Sequence, residues 1–182
     1  MPILGVIASS ISGNLYSASY DSIATTTVGA GGASFVEFTS IPSTYTHLQI
    51  RISSLGSADA QQGLNTTYNG DTGTNYSSHG VSATRSSTGF FATANDNIQY
   101  FGFSLFSGYP STSVIDILDY ANTNKFKTMK CLTGCDRSSA GIVYFFSGVW
   151  RNTNAITSIK ITPNSGNFNQ HSSFALYGIK VA

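Results

Sequence analysis

The sequence predicts an all-β chain: one antiparallel β-sandwich of jelly-roll type carrying an extended N-terminal arm. Three observations predict it. Runs of β-branched and aromatic residues recur at intervals of about 8–12 residues, with Gly, Pro, Asn and Asp between them, the spacing of a sandwich or barrel. Charged residues are only 9% of the chain, against ~25% in an ordinary domain, and Ser, Thr, Asn and Gly take their place while good helix formers are scarce. Residues 47–52 alternate cleanly, with Leu48, Ile50 and Ile52 on one face and His47, Gln49 and Arg51 on the other. The 182 residues suit a single domain. The expected division is an arm over residues 1–19 and a sandwich over 20–182.

The strands follow in order. Residues 20–28 form a Thr-rich strand, broken by Gly29, Gly31 and Gly32. Residues 33–39 form the next, with Val36 and Phe38 on one face and Phe35 and Glu37 on the other. The 47–52 strand comes after a turn around Pro42. Residues 64–68 alternate again and end at Asn69-Gly70, a pair that favours the positive φ angles of a tight hairpin. From residue 77 to 97 the pattern dissolves into Ser, Thr, Gly and Asn around Phe90-Phe91, which reads as a long loop, functional or mobile. A strand resumes over 98–106, with Phe101, Phe103 and Leu105 on one face.

The central feature is the hairpin 114–132. Its first run is apolar on both faces except at Asp116 and Asp119, as in a strand covered on both sides. Its second run carries Lys125, Lys127 and Lys130, which should stay wet or pair with the two aspartates. Strands over 142–150, 155–162 and 172–181 complete the chain, and the last is apolar on both faces and so belongs inside a sheet. The expected core comprises Leu48, Ile50, Ile52, Phe101, Phe103, Ile115, Ile117, Phe145, Phe174 and Leu176.

The residue pattern points away from several function classes. Nine scattered Lys and Arg draw no basic patch, so no nucleic-acid partner is expected. No apolar run approaches the ~20 residues of a membrane-spanning helix, and the N-terminus lacks the basic region of a secretory signal. Cys131 and Cys135 lack the companions of a zinc site, and two free thiols is the simpler reading, although a disulfide is not excluded by spacing. His47, His79 and His171 have no Cys or Glu at ligand spacing and read as surface residues. Asp116 and Asp119, three apart on a strand, point to opposite faces and cannot form a glycosidase pair with each other. The 69–75 loop has one carboxylate, too few for a calcium site. No catalytic residue, metal or cofactor is expected.

Two features suggest assembly. Residues 1–19 carry no charged side chain, and an arm presenting Ile3, Leu4, Val6, Ile7 and Ile11 suits strand addition or groove filling on a neighbouring subunit. The 142–150 strand is bulky on both faces, with Val143, Phe145 and Val149 on one and Ile142, Tyr144, Phe146 and Trp150 on the other. A sandwich buries one face of each sheet, so Tyr144, Phe146 and Trp150 are expected at an oligomer interface.

Several blocks carry a resemblance. They are the opening ten residues, Tyr20-Asp21-Ser22-Ile23-Ala24-Thr25, Val28-Gly29-Ala30-Gly31-Gly32-Ala33, Ser40-Ile41-Pro42-Ser43-Thr44-Tyr45 with His47-Leu48-Gln49-Ile50-Arg51, Asn69-Gly70-Asp71-Thr72-Gly73, Asp116-Ile117-Leu118-Asp119-Tyr120-Ala121-Asn122-Thr123 and Ser173-Phe174-Ala175-Leu176-Tyr177-Gly178-Ile179-Lys180. Over nearly its whole length the chain resembles small virion structural proteins of tailed bacteriophages, frequent in phages of aquatic bacteria and cyanobacteria. The resemblance implies a particle component and not an enzyme. The expectation is a capsid decoration or cement protein on the outer surface of the particle, assembled in the host cytoplasm. Its expected partners are the major capsid protein and further copies of itself in a homotrimer, with no membrane. The alternative is a tail-fibre or receptor-binding tip whose 77–97 loops contact host glycans.

Overall fold

The computed structural model describes residues 20–58, 61–138 and 140–180, with the side chains of Phe103 and Ser104 outside that description. The arm residues Ile3, Leu4, Val6, Ile7 and Ile11, and the expected burial of Phe103, therefore lie outside the described residues. Twelve strands and no helix occur among the described residues: β1 (Tyr20–Thr27), β2 (Val36–Phe38), β3 (His47–Ser54), β4 (Gln62–Tyr68), β5 (Tyr76–Thr84), β6 (Thr88–Asp96), β7 (Gln99–Leu105), β8 (Ser111–Leu118), β9 (Lys127–Cys135), β10 (Ile142–Trp150), β11 (Ile159–Pro163) and β12 (Ser173–Ile179).

The strands form two antiparallel sheets, ordered β1-β12-β3-β8-β9-β10-β5-β6 and β2-β11-β4-β7. The blocks β1-β12-β3-β8 and β2-β11-β4-β7 together make the eight strands of a jelly roll. The hairpins β5–β6 and β9–β10 are additions that lengthen one sheet beyond β8. The last strand, apolar on both faces, sits between β1 and β3 as its composition demands.

The core lies between the sheets. Leu48, Ile50 and Ile52 of β3 are buried, with Ile115 and Ile117 of β8 and Phe174 and Leu176 of β12, against Val36, Phe38, Leu64, Phe101, Ile159 and Ile161 of the smaller sheet. One line of registered residues crosses the large sheet on its inner side: Leu176, Ile50, Ile115, Cys131, Phe146, Gly80 and Phe91. A Cβ at Gly80 would lie 2.8 Å from the Phe146 ring, so only glycine lets that ring lie flat on β5. Full burial of a Phe side chain such as Phe146 contributes about 3 kcal/mol.

Several expectations are corrected. Residues 77–97 are not a loop but most of the β5–β6 hairpin. Their small, polar side chains suit the rim of a sheet, where little has to be buried. Asn69 and Gly70 do take positive φ, 54° and 67°, and Asp71 N donates to Tyr68 O at 2.9 Å, but the chain does not fold back on itself there. It passes from β4 in one sheet to β5 in the other. β8 is covered on one face only, with Val114 exposed, and Asp119 lies past its end at φ 51°.

Lys127 does not stay wet. It is buried, and its ammonium donates to the carbonyls of Asn122, of Lys125 at 3.0 Å and of Thr153 at 2.9 Å, pinning the β8–β9 turn to the chain after β10. Burial pushes its pKa below the ordinary lysine value. Lys125 does pair with Asp119, whose carboxyl it holds below the usual range. Asp116 lies opposite Lys130 in register, but its carboxylate accepts from Gln49 Nε2 at 2.8 Å.

The two faces of β10 are exchanged relative to expectation. Phe146 and Trp150 are buried within their own chain and Tyr144 is half-buried, whereas Phe145, expected in the core, is exposed. The physical reason is the cover supplied by β7 and by the aromatic side chains around it. Phe91 lies 5.5 Å from Phe146 and 5.2 Å from Tyr100, and Trp150 packs on Tyr68 and Tyr76 at 5.5 and 6.4 Å.

Candidate functional site

Strand pairing builds the candidate site. Each strand of the large sheet turns alternate residues outward, and the outward neighbours of the inner line form a second line. On β8, β9, β10, β5 and β6 this second line reads Val114, Leu132, Phe145, Val81 and Phe90, each directly opposite the next. All five are exposed, by 40, 55, 49, 48 and 89% respectively. Four strand spacings make the ridge about 19 Å long. A folded chain has to expose some apolar atoms, but isolated ones; a registered ridge of this length is a different object.

Beside the ridge runs a line of mostly small residues: Thr112, Gly134, Val143, Ala83 and Thr88. Between the two lies a depression of about 240 Å³, lined in part by Val114, Leu132, Gly134 and Val143. At the rim, Val81, Phe90, Phe91, Ala92, Phe145 and His79 line an open cleft of about 520 Å³. The line on the other side of the ridge carries Asp116, Lys130, Ser147, His79 and Ala92, so charge returns one row away. Toward β3 the ridge stops at Arg51, whose guanidinium lies 5.2 Å from the Tyr177 ring and whose Nε donates to Gln49 Oε1 at 2.8 Å.

Of the residues expected at an oligomer interface, Phe146 and Trp150 face the core, and the hydroxyl of half-buried Tyr144 accepts from Gln61 Nε2 at 2.7 Å. The excess of aromatic bulk on β10 is real, but its outward share is Val143 and Phe145.

The polar groups singled out in the sequence have structural roles. Asp71 Oδ1 accepts from Gly73 N at 2.8 Å, and Oδ2 accepts from Asn75 Nδ2 at 2.9 Å and Trp150 Nε1 at 2.7 Å. Burial pushes that carboxyl up, but hydrogen bonding from Trp150, Gly73, Asn75 and Asn152 outweighs it and holds its pKa below the ordinary carboxyl value of 3.8. Tyr76 donates to Asp71 O at 3.0 Å and accepts from Tyr68 N at 3.1 Å, and burial pushes it up to about 12. His47 Nδ1 accepts from the Asp119 amide at 2.9 Å. Cys131 and Cys135 are free and buried, and burial raises both thiols, the opposite of an activated nucleophile. No group of three or more His, Cys, Asp or Glu that could hold a metal ion occurs among the described residues, and no described helix is long and apolar enough to cross a membrane.

No protein-family model matches this sequence, and no curated protein matches it.

Sequence reasoning missed the ridge because three of its five members were placed elsewhere. Phe145 reads from the sequence as core, and Val81 and Phe90 as loop. The available signal is the alternation of Val81 and Ala83 with Gly80, Ser82 and Thr84, too weak in amplitude to mark a strand alone.

Proposed function

We propose that this protein is a virion structural protein of a tailed bacteriophage, acting as a capsid decoration or cement protein. The single observation that carries a binding and bracing role is the registered apolar ridge on the outer face of the large sheet. The phage assignment itself comes from the sequence resemblance. A cement protein acts by burying surface between capsomers, which calls for a rigid body and a broad face with few charges to desolvate. A two-sheet jelly roll is such a body. The uncharged residues 1–19 would supply a grip on the major capsid protein, and several copies would act together on the shell.

The second reading is a tail-fibre or receptor-binding tip. One observation favours it: the cleft beside Phe90, Phe91 and Phe145 offers exposed aromatic faces next to His79, a setting in which the apolar face of a sugar ring can stack.

Reconstruction of purified particles separates the two. Density for this chain repeated over the icosahedral shell is the expected result, and density confined to the tail supports the second reading. Absence of the protein from purified particles overturns both. Deleting residues 1–12 should leave a folded domain that no longer binds particles lacking it; full retention of binding would refute the grip.

A further inference from the structure

We propose that the outer face of β8, β9, β10, β5 and β6 is the contact surface for the same face of a second copy of this chain. The inference does not rest on the phage reading, because it is tested on the purified protein alone.

Shape is the first argument. The ridge of Val114, Leu132, Phe145, Val81 and Phe90 lies beside the line of Thr112, Gly134, Val143, Ala83 and Thr88, where four of five side chains are small. A face with a ridge and a parallel depression on it is self-complementary. Turned about a two-fold axis, the ridge of each copy enters the depression of the other, and such isologous contacts are the commonest among oligomers of identical chains.

Area is the second argument. The exposed parts of the five ridge residues and Val143 amount to on the order of 600 Å² of apolar surface, at the top of the range for one patch on a monomer. A stable interface needs ~800 Å² per partner, which the flanking line supplies. The patch is thus the size of one interface, neither scattered surface residues nor a fragment of a larger site.

Charge is the third. The two central lines contain no charged residue. Charges flank these lines: Arg51 at the β3 end, Asp116 and Lys130 as neighbours of opposite sign on one side, and Arg85 and Asp136 on the other. An isologous contact through these lines therefore buries no like-charge pair at its centre.

The test is the solution mass of the full chain by sedimentation equilibrium at micromolar concentration, with Phe145→Asp and Leu132→Lys as separate variants. Both positions are solvent-facing, and unfolding midpoints near wild type verify that each variant folds. Phe35→Asp is the control, since Phe35 is exposed against Lys160 of the smaller sheet. The expected result is an oligomer whose dissociation constant rises about 100-fold in both face variants and is unchanged in the control. A monomeric wild type overturns the proposal, as does an oligomer indifferent to both face variants. Should removal of residues 1–19 from a monomer raise the binding of an apolar dye, and should Phe145→Asp abolish that rise, the occupant is the chain's own N-terminal segment and the second copy is refuted.

Discussion

Asp71→Asn isolates the hydrogen bonds that hold the β4–β5 crossing onto the end of β10. The carboxylate accepts from Gly73 N, Asn75 Nδ2 and Trp150 Nε1. An asparagine must turn one of those two oxygen positions into an NH₂. If the NH₂ faces Trp150, it meets an indole N–H that can only donate; Asn75 can rotate its own amide to adapt, but the indole cannot. If it faces Gly73, it meets a backbone N–H. Either orientation opposes donor to donor. A hydrogen bond to a charged group contributes ~1.5–3 kcal/mol, and the partial solvent access of Asp71 places the loss near the low end, about 2 kcal/mol. The pH dependence has a definite sign. The folded pKa of Asp71 lies below the 3.8 of an ordinary carboxyl, so its contribution is fully present above that value and is lost as pH falls through the folded pKa. Urea unfolding followed by tryptophan fluorescence reads the effect directly, because Trp150 is the chain's single tryptophan. The variant should be about 2 kcal/mol less stable at neutral pH, with the gap closing as acid protonates the wild-type carboxylate. A gap under about 0.5 kcal/mol, or one that stays constant into acid, refutes this account.

Three further substitutions test the fold. Phe146→Ala should cost about 3–5 kcal/mol in chemical denaturation and Phe145→Ala within about 0.5 kcal/mol, measured under conditions where the protein is monomeric; equal costs would mean the faces of β10 are misassigned. Lys127→Met keeps the length of the side chain but leaves the carbonyls of Asn122, Lys125 and Thr153 without their donor; it should cost about 2–3 kcal/mol and speed amide exchange in the β8–β9 turn, and wild-type exchange rates there would contradict the pinning role.

What was legible in the sequence depended on contrast between the two faces of a strand. β3 announced itself because Leu48, Ile50 and Ile52 alternate with His47, Gln49 and Arg51. Phe174 and Leu176 of β12 were placed correctly for a related reason, a closing strand too apolar for an edge. Where the faces are alike, periodicity has nothing to report. β10 is large on both sides, and its inner face is chosen by Phe91, Tyr68 and Tyr76, none of them close to it in sequence. β5 and β6 are mostly small and polar, and their Phe90 and Phe91 are adjacent and not alternating, so they read as loop. Lys127 failed for another reason: a lysine is expected outside, and the three carbonyls that receive it come together only once the turns are folded.

The ridge follows from the same logic, and it separates what folding requires from what it permits. Register is continuous across the large sheet, so the inner line ending in Phe146, Gly80 and Phe91 fixes where the outer line ending in Phe145, Val81 and Phe90 must run. The inner line has to be apolar for the sandwich to close. The outer line does not, and the jelly-roll half of the same sheet demonstrates it. There the outward side carries Arg51 over Tyr177 and Tyr20, and Gln49 bonded to Asp116. The outward side over β12 and β3 therefore mixes Arg51 and Gln49 with Tyr177 and Ile179, whereas an unbroken apolar line runs from β8 across the added hairpins β9–β10 and β5–β6. Those hairpins are dispensable to an eight-stranded jelly roll, and four of the five ridge residues lie on them. An addition that lengthens a sheet while leaving its new outer face apolar increases solvent-exposed hydrocarbon, a net cost unless something covers it.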